Sequence, residues 1–170
     1  MTAASPSPAP LGLILAALTV GLAAILGAWA FQIFGGYVPC ALCLQQRIPY
    51  YAGLPLLAVA ALLSRAAPPA ARLLAAAGGI ALAVSAGLGV YQAGAEWGFW
   101  LGPNDCGGGV GPTTDATDLM AQLQSTRLVS CTEASVRFLG LSFAGWNVVA
   151  ATATALLAFA AAVLPSRRNR

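Results

Sequence analysis

The chain is 170 residues and 17.1 kDa, with 59% apolar and 8% charged side chains, a mean hydropathy of +0.79 and a formal charge of +3. An ordinary soluble domain carries roughly 25% charged residues, and a globule of this size could not cover its surface with so few, so the soluble, disordered, coiled-coil and fibrous classes are excluded together. The eight basic residues are all Arg and scattered, which argues against a nucleic-acid partner, and the absence of His removes the usual metal ligand and the commonest general base.

Residues 11–33 are the first of four apolar runs near the roughly 20 residues a helix needs to cross hydrocarbon. Ala28-Trp29-Ala30 also fits a signal-peptide cleavage site, but Met1 to Pro10 holds no Arg or Lys and the run exceeds a typical signal core, so a retained span is expected. Gly35, Gly36, Tyr37, Val38 and Pro39 then read as a tight turn. The second run, 44–63, is the least regular, with Gln45, Gln46 and Arg47 at its start and Pro49 and Pro55 inside. A connection over 64–72, holding Arg65, Pro68, Pro69 and Arg72, leads to the third run, 73–91. Its Gly78, Gly79, Gly87 and Gly89 sit among small side chains that let helices approach closely, which explains the composition without a ligand.

The segment 92–142 holds all five acids and is the one connection large enough to work outside the bilayer. Within it, Ala116, Leu119, Met120, Leu123 and Leu128 recur with near-helical period, and Thr114 or Asp115 is a suitable N-cap. This predicts a short helix lying on the bilayer surface. The fourth run is 143–164, and Trp97, Trp100 and Trp146 fall near predicted span ends, where an interfacial aromatic belt belongs. Four crossings place Arg65, Arg72, Arg167, Arg168 and Arg170 on one face and Arg47, Arg127 and Arg137 on the other. The more basic face is the cytoplasmic one. The expected fold is therefore an all-α membrane protein, a four-helix transmembrane bundle in one domain, 1–170, with both termini cytoplasmic and the 92–142 loop outside.

In this topology Cys40, Cys43, Cys106 and Cys131 all face outward. Four Cys allow three connectivities, but Cys40 and Cys43 form a CxxC, the spacing of exchangeable disulfides, which leaves Cys106 with Cys131. For the loop pair a structural staple is a reasonable reading, because closing about 25 residues stabilises by roughly 3 kcal/mol on a chain-entropy account. For the CxxC the same reading is weak, since the chain already holds the two residues together. A Cys₄ zinc site usually comes as two close pairs, and Cys106 and Cys131 are too widely spaced for that. Pro39 and Cys40 begin a helix whose partial positive charge favours a thiolate, and Arg47 lies four residues beyond Cys43. An Arg just inside a span is either functional or an interfacial anchor. Gln45 and Gln46 fit the lining of the same polar mouth. Around Cys106, the run Gly102-Pro103-Asn104-Asp105-Cys106-Gly107-Gly108-Gly109 is open enough to present a disulfide to another protein, and equally suits an ordinary loop.

The order of these features resembles the DsbB family of bacterial disulfide-bond formation proteins. The matching pieces are Cys40-Ala41-Leu42-Cys43-Leu44-Gln45-Gln46-Arg47, Glu96-Trp97-Gly98-Phe99-Trp100-Leu101-Gly102-Pro103-Asn104-Asp105-Cys106, Cys131-Thr132-Glu133-Ala134, and Gly140-Leu141-Ser142-Phe143-Ala144-Gly145-Trp146-Asn147. The resemblance implies an inner-membrane thiol:quinone oxidoreductase that takes electrons from a DsbA-like periplasmic thioredoxin-fold protein and delivers them to a membrane quinone, ubiquinone or menaquinone. It implies Cys40 and Cys43 as the quinone-facing pair, Cys106 and Cys131 as the partner-facing pair, and Arg47 as a quinone-site residue. Many relatives have His after the Tyr that ends the third span, whereas here Tyr91 is followed by Gln92, so His-dependent proton delivery is not available. Vitamin K epoxide reductase-like proteins place their CxxC after the loop cysteines, the reverse of the order found here. The competing class is a disulfide-stapled four-span protein with a transport or assembly role and no redox turnover.

Overall fold

Small residues, more than large ones, decide how the helices of this chain meet. The computed structural model describes residues 10–102, 134 and 136–165. Among these residues the chain forms α1 (Leu11–Ile33), α2 (Ala41–Leu63), α3 (Pro68–Glu96), a two-stranded hairpin of β1 (Arg137–Phe138) and β2 (Leu141–Ser142), and α4 (Phe143–Val163). Each helix packs on two neighbours in the cyclic order α1, α2, α3, α4. The contacts run in opposite chain directions at every seam: Gly21 meets Leu54 and Thr154, Gly53 meets Leu82, and Gly79 meets Phe159. The result is an antiparallel four-helix bundle. At the α2–α3 seam the backbones themselves approach, since a Cβ on Gly78 would lie 3.2 Å from the carbonyl oxygen of Gly53.

The bundle differs from a soluble one in having an exterior as apolar as its core. Its exterior carries Leu15, Leu22, Leu26, Leu62, Leu73, Ile80 and Leu156, while Gln46, Ser85, Gln92 and Thr154 are buried. Apolar side chains outside and paired polar groups inside suit a lipid surround. Helices α1, α3 and α4 are long and apolar enough to cross a membrane. Helix α2 matches α1 in length, 23 residues each, but Gln45, Gln46 and Arg47 make it more polar, so the fourth expected crossing is not evident from composition.

Helix ends differ from the apolar runs because hydrogen bonding continues where hydropathy stops. Helix α2 begins at Ala41, with Cys40 as its N-cap, and stays helical through Pro49 and Pro55. Helix α3 begins at Pro68, where a missing N–H costs nothing, and runs 29 residues to Glu96. It closes in a Schellman motif: Gly98 has φ +76, its N–H reaches the Ala95 carbonyl at 3.1 Å, and the Phe99 N–H reaches Gly94 at 2.9 Å. Trp100 folds back so that its indole N–H donates to the Tyr91 carbonyl at 2.9 Å and its ring stacks on Tyr91. The hairpin turns through Leu139 at φ 52 and Gly140 at φ 84, the left-handed pair of a type I′ turn. It delivers the chain to Ser142, whose hydroxyl caps α4 by accepting from the Gly145 N–H at 3.2 Å. The surface helix expected over Thr114 to Leu128, together with Cys106, Cys131, Arg127 and the terminal Arg cluster, lies outside the described residues.

The seams make the effect of a methyl group depend on where it is added. Gly87 has open space around its would-be Cβ, whereas Gly53 faces Leu82 and the Gly78 carbonyl. Replacing a helix-interior Gly by Ala elsewhere gains roughly 0.5–1 kcal/mol. Gly87→Ala should therefore hold or raise the thermal midpoint of the detergent-purified protein, and Gly53→Ala should lower it.

Candidate active site

The N-cap of α2 brings the CxxC sulfurs together. Cys40 sits in extended backbone at φ −72, ψ 169, and its Sγ accepts the Cys43 N–H at 3.3 Å, the role a Ser or Asp oxygen takes at other helix starts. One turn on, Cys43 Sγ lies 2.9 Å from Cys40 Sγ as a thiol pair. Cys40 is buried and Cys43 half-buried. Cys40 Sγ thus sits on a first-turn N–H of α2, where the helix end carries partial positive charge.

Helix α3 supplies the next group. Gln92 is buried, and its Nε2 donates to Cys43 Sγ at 3.4 Å and Cys40 Sγ at 3.5 Å. The same nitrogen donates to Glu96 Oε1, one turn further, at 3.2 Å. Gln92 Oε1 accepts from Gln46 Nε2 at 2.6 Å and from the Cys43 thiol at 3.7 Å. Glu96 Oε2 is buried without a hydrogen-bond partner among the described residues.

The network continues into the bundle. Gln46 Oε1 accepts from Asn147 Nδ2 of α4 at 2.7 Å, and that nitrogen also reaches the Ser85 carbonyl and hydroxyl at 3.3 and 3.2 Å. Asn147 Oδ1 accepts from the Tyr50 hydroxyl at 2.9 Å, and Ser85 Oγ donates to the Gln46 carbonyl at 2.8 Å. Leaving such a buried group unpaired costs about 1–3 kcal/mol, so these contacts fix the relative register of α2, α3 and α4 near the sulfurs.

Arg47 points to a different neighbour. Its Nη1 donates to Gln32 Oε1 at 2.5 Å and its Nη2 to the Ala28 carbonyl at 3.4 Å, both on α1. Its guanidinium carbon lies 5.9 Å from the Trp29 ring centre, and Trp29 Nε1 donates to the Tyr51 hydroxyl at 3.0 Å. Nearby, Phe31, Tyr37 and Phe143 form an edge-to-face cluster with centroids 5.0 to 6.2 Å apart.

Of the site residues expected from sequence, Cys40, Cys43 and Arg47 thus gather at one end of the bundle, while Cys106 and Cys131 lie outside the described residues. Gln92 enters the sequence reading only as a departure from His, and Glu96 and Asn147 only within quoted motifs. Gln46 stands there as a mouth residue, and Tyr50 and Ser85 pass unnoticed. The one available signal is polarity within apolar runs, at Gln46, Ser85 and Asn147.

No curated protein and no solved structure matches the chain. The family described as disulfide bond formation protein DsbB matches residues 11–161, nearly its whole length. That span takes in the sulfur pair, Arg47 and every residue of the amide network. The chain belongs to the DsbB family.

Proposed function

We propose that this chain is a thiol:quinone oxidoreductase of the bacterial inner membrane, which reoxidises a DsbA-like periplasmic thioredoxin-fold protein. The observation that carries this reading is the adjacent Cys40 and Cys43 sulfurs at the head of α2, with buried N–H donors from Gln92 on them. Such a setting favours thiolate and serves exchange; a staple has no use for it. The whole chain, 1–170, then forms one integral membrane domain, with α2 as the fourth span because it packs antiparallel between α1 and α3. Both termini are cytoplasmic, and the four Cys face the periplasm.

The electron path is a series of exchanges. A thiolate of the reduced partner attacks Cys106 of the Cys106–Cys131 disulfide, forms a mixed disulfide and releases Cys131 as thiolate. Cys131 attacks Cys40 of the Cys40–Cys43 disulfide, and Cys43 leaves as thiolate. The partner's second thiol then displaces Cys106, which closes back on Cys131 and releases Cys40. The partner is now oxidised, the loop disulfide is restored, and Cys40 and Cys43 are the thiol pair. A bound quinone supplies the acceptor for two electrons and two protons that returns this pair to the disulfide. The residues at the same end of the bundle would suit such a group. Arg47 offers guanidinium N–H donors to a carbonyl oxygen, and Trp29 with the Phe31, Tyr37 and Phe143 cluster offers apolar ring surface.

Arg47 is held by α1 through its fork, so charge and shape both count. Arg47→Lys should keep part of the quinone reduction and Arg47→Ala should lose on the order of a hundredfold, the scale of one lost electrostatic donor. Native-level reduction by Arg47→Ala would make the residue an interfacial anchor. The order within the loop pair is read by trapping. Oxidised protein mixed with a partner lacking its resolving cysteine should give an adduct on Cys106, mapped by peptide mass. An adduct mainly on Cys131 would reverse the two roles and leave the oxidase reading standing.

A further inference from the structure

The side-chain amides beside the sulfurs form a chain in which each link has only one permitted orientation. The Ser85 backbone carbonyl can only accept, so the Asn147 group 3.3 Å away must be its NH₂. Asn147 Oδ1 then faces Tyr50, whose hydroxyl donates to it. The same Asn147 NH₂ lies 2.7 Å from Gln46, which must present Oε1 there and hence Nε2 on its other side. That Nε2 meets Gln92, which must answer with Oε1 and turn its own NH₂ to Cys40, Cys43 and the Glu96 carboxylate.

We infer that Gln92 is a catalytic residue that stabilises the thiolates of the Cys40–Cys43 pair, and that Gln46 and Asn147 are positioning residues which keep its N–H groups aimed at the sulfurs. Hydrogen bonds to the charged form of a group favour that form. An amide cannot titrate, so its donors face the sulfurs at every working pH. Unrestrained, a Gln could equally turn its carbonyl oxygen to a thiolate and repel it. The relay through Gln46 and Asn147 opposes that flip by requiring α2, α3 and α4 to agree on one hydrogen-bond direction, which keeps Nε2 on both sulfurs and leaves Oε1 at the longer distance of 3.7 Å from Cys43 Sγ.

Among the described residues, the titratable groups on the four helices are few. Helices α1 and α4 contain no titratable residue. Helix α3 contributes Glu96, whose negative charge opposes a thiolate, with Tyr91 and Arg72 further along it; helix α2 contributes Arg47, Tyr50 and Tyr51, with Arg47 and Tyr51 engaged toward α1 and Tyr50 on Asn147. Against the Glu96 charge, the side-chain hydrogen bonds that reach Cys43 Sγ among the described residues come from Cys40 at 2.9 Å and from the fixed Gln92 donor at 3.4 Å.

The inference rests on the redox reading of the pair, yet it is tested without partner or quinone. In the full chain carrying Cys106→Ser and Cys131→Ser, the pH dependence of iodoacetamide alkylation of the reduced pair reads thiolate formation directly. Gln92→Leu should raise the midpoint by about one pH unit, a roughly tenfold loss of thiolate below it. Gln46→Leu should raise it by a smaller amount, and in the Gln92→Leu background should add nothing, because Gln46 acts only through Gln92. Gln92→His, which restores an N–H donor, should bring the profile back towards native. Thermal midpoints measured in parallel report folding, and Gln46→Met, close in volume to Gln, replaces Gln46→Leu if that variant does not purify. An unmoved midpoint in Gln92→Leu would overturn the role of Gln92. A Gln46 shift that persists undiminished without Gln92 would overturn the relay. Normal alkylation shifts, with no turnover of partner and quinone by the chain that keeps all four Cys, would instead count against the oxidase reading alone.

Discussion

A side-chain amide placed inside an apolar bundle has to find a partner there, because lipid offers none. In this chain that constraint is met by Gln46, Asn147 and Ser85, three residues on three helices whose hydrogen bonds close only in one register. The glycine seams allow the same register by letting α3 approach both α2 and α4, as at Gly53 against Gly78 and Gly89 against Ala144. Glycine packing and polar pairing therefore specify one alignment. The sulfurs sit where that alignment ends, at the capped start of α2.

Helical geometry divides the work around Cys43. At about 100° per residue, Gln46 falls to one side of Cys43 and Arg47 to the other. Gln46 meets α3 and α4, and Arg47 meets α1. The sulfur pair thus stands between an amide network, which touches it, and a guanidinium anchored on Gln32 and Trp29. This arrangement gives separate places to two tasks of the proposed oxidase, holding thiolate character and receiving the electron acceptor. Glu96 adds a half-buried carboxylate against the same Gln92 nitrogen, which sharpens the need for that amide to donate.

The sequence made the bundle legible because four apolar runs and their Gly and Pro punctuation are composition, and composition survives without coordinates. Family membership was legible in the CxxC with Arg47 and in the motifs around Glu96 and Asn147. Helix ends were not, since Pro68, Pro69 and the segment beyond Tyr91 are helical by hydrogen bonding despite lower hydropathy. Nor was the hairpin, whose two-residue strands are too short to show alternation. The relay through Gln46 was hidden for a deeper reason. Its residues lie 39 to 101 positions apart in pairs, and only the seam geometry tells which amide faces which. Arg47 lies one turn beyond Cys43, and its spacing alone does not tell that Gln32 and Trp29 of α1 present it with an acceptor and a ring.

The oxidase reading is tested most directly by electron counting. The protein, purified in detergent with its co-extracted quinone and mixed without oxygen with a reduced thioredoxin-fold dithiol protein, should form one quinol for each dithiol oxidised, read by quinone absorbance and thiol titration together. Cys40→Ser should abolish quinol formation while leaving the protein folded. A partner that stays reduced, or quinol formed at the native rate by Cys40→Ser, would contradict the account.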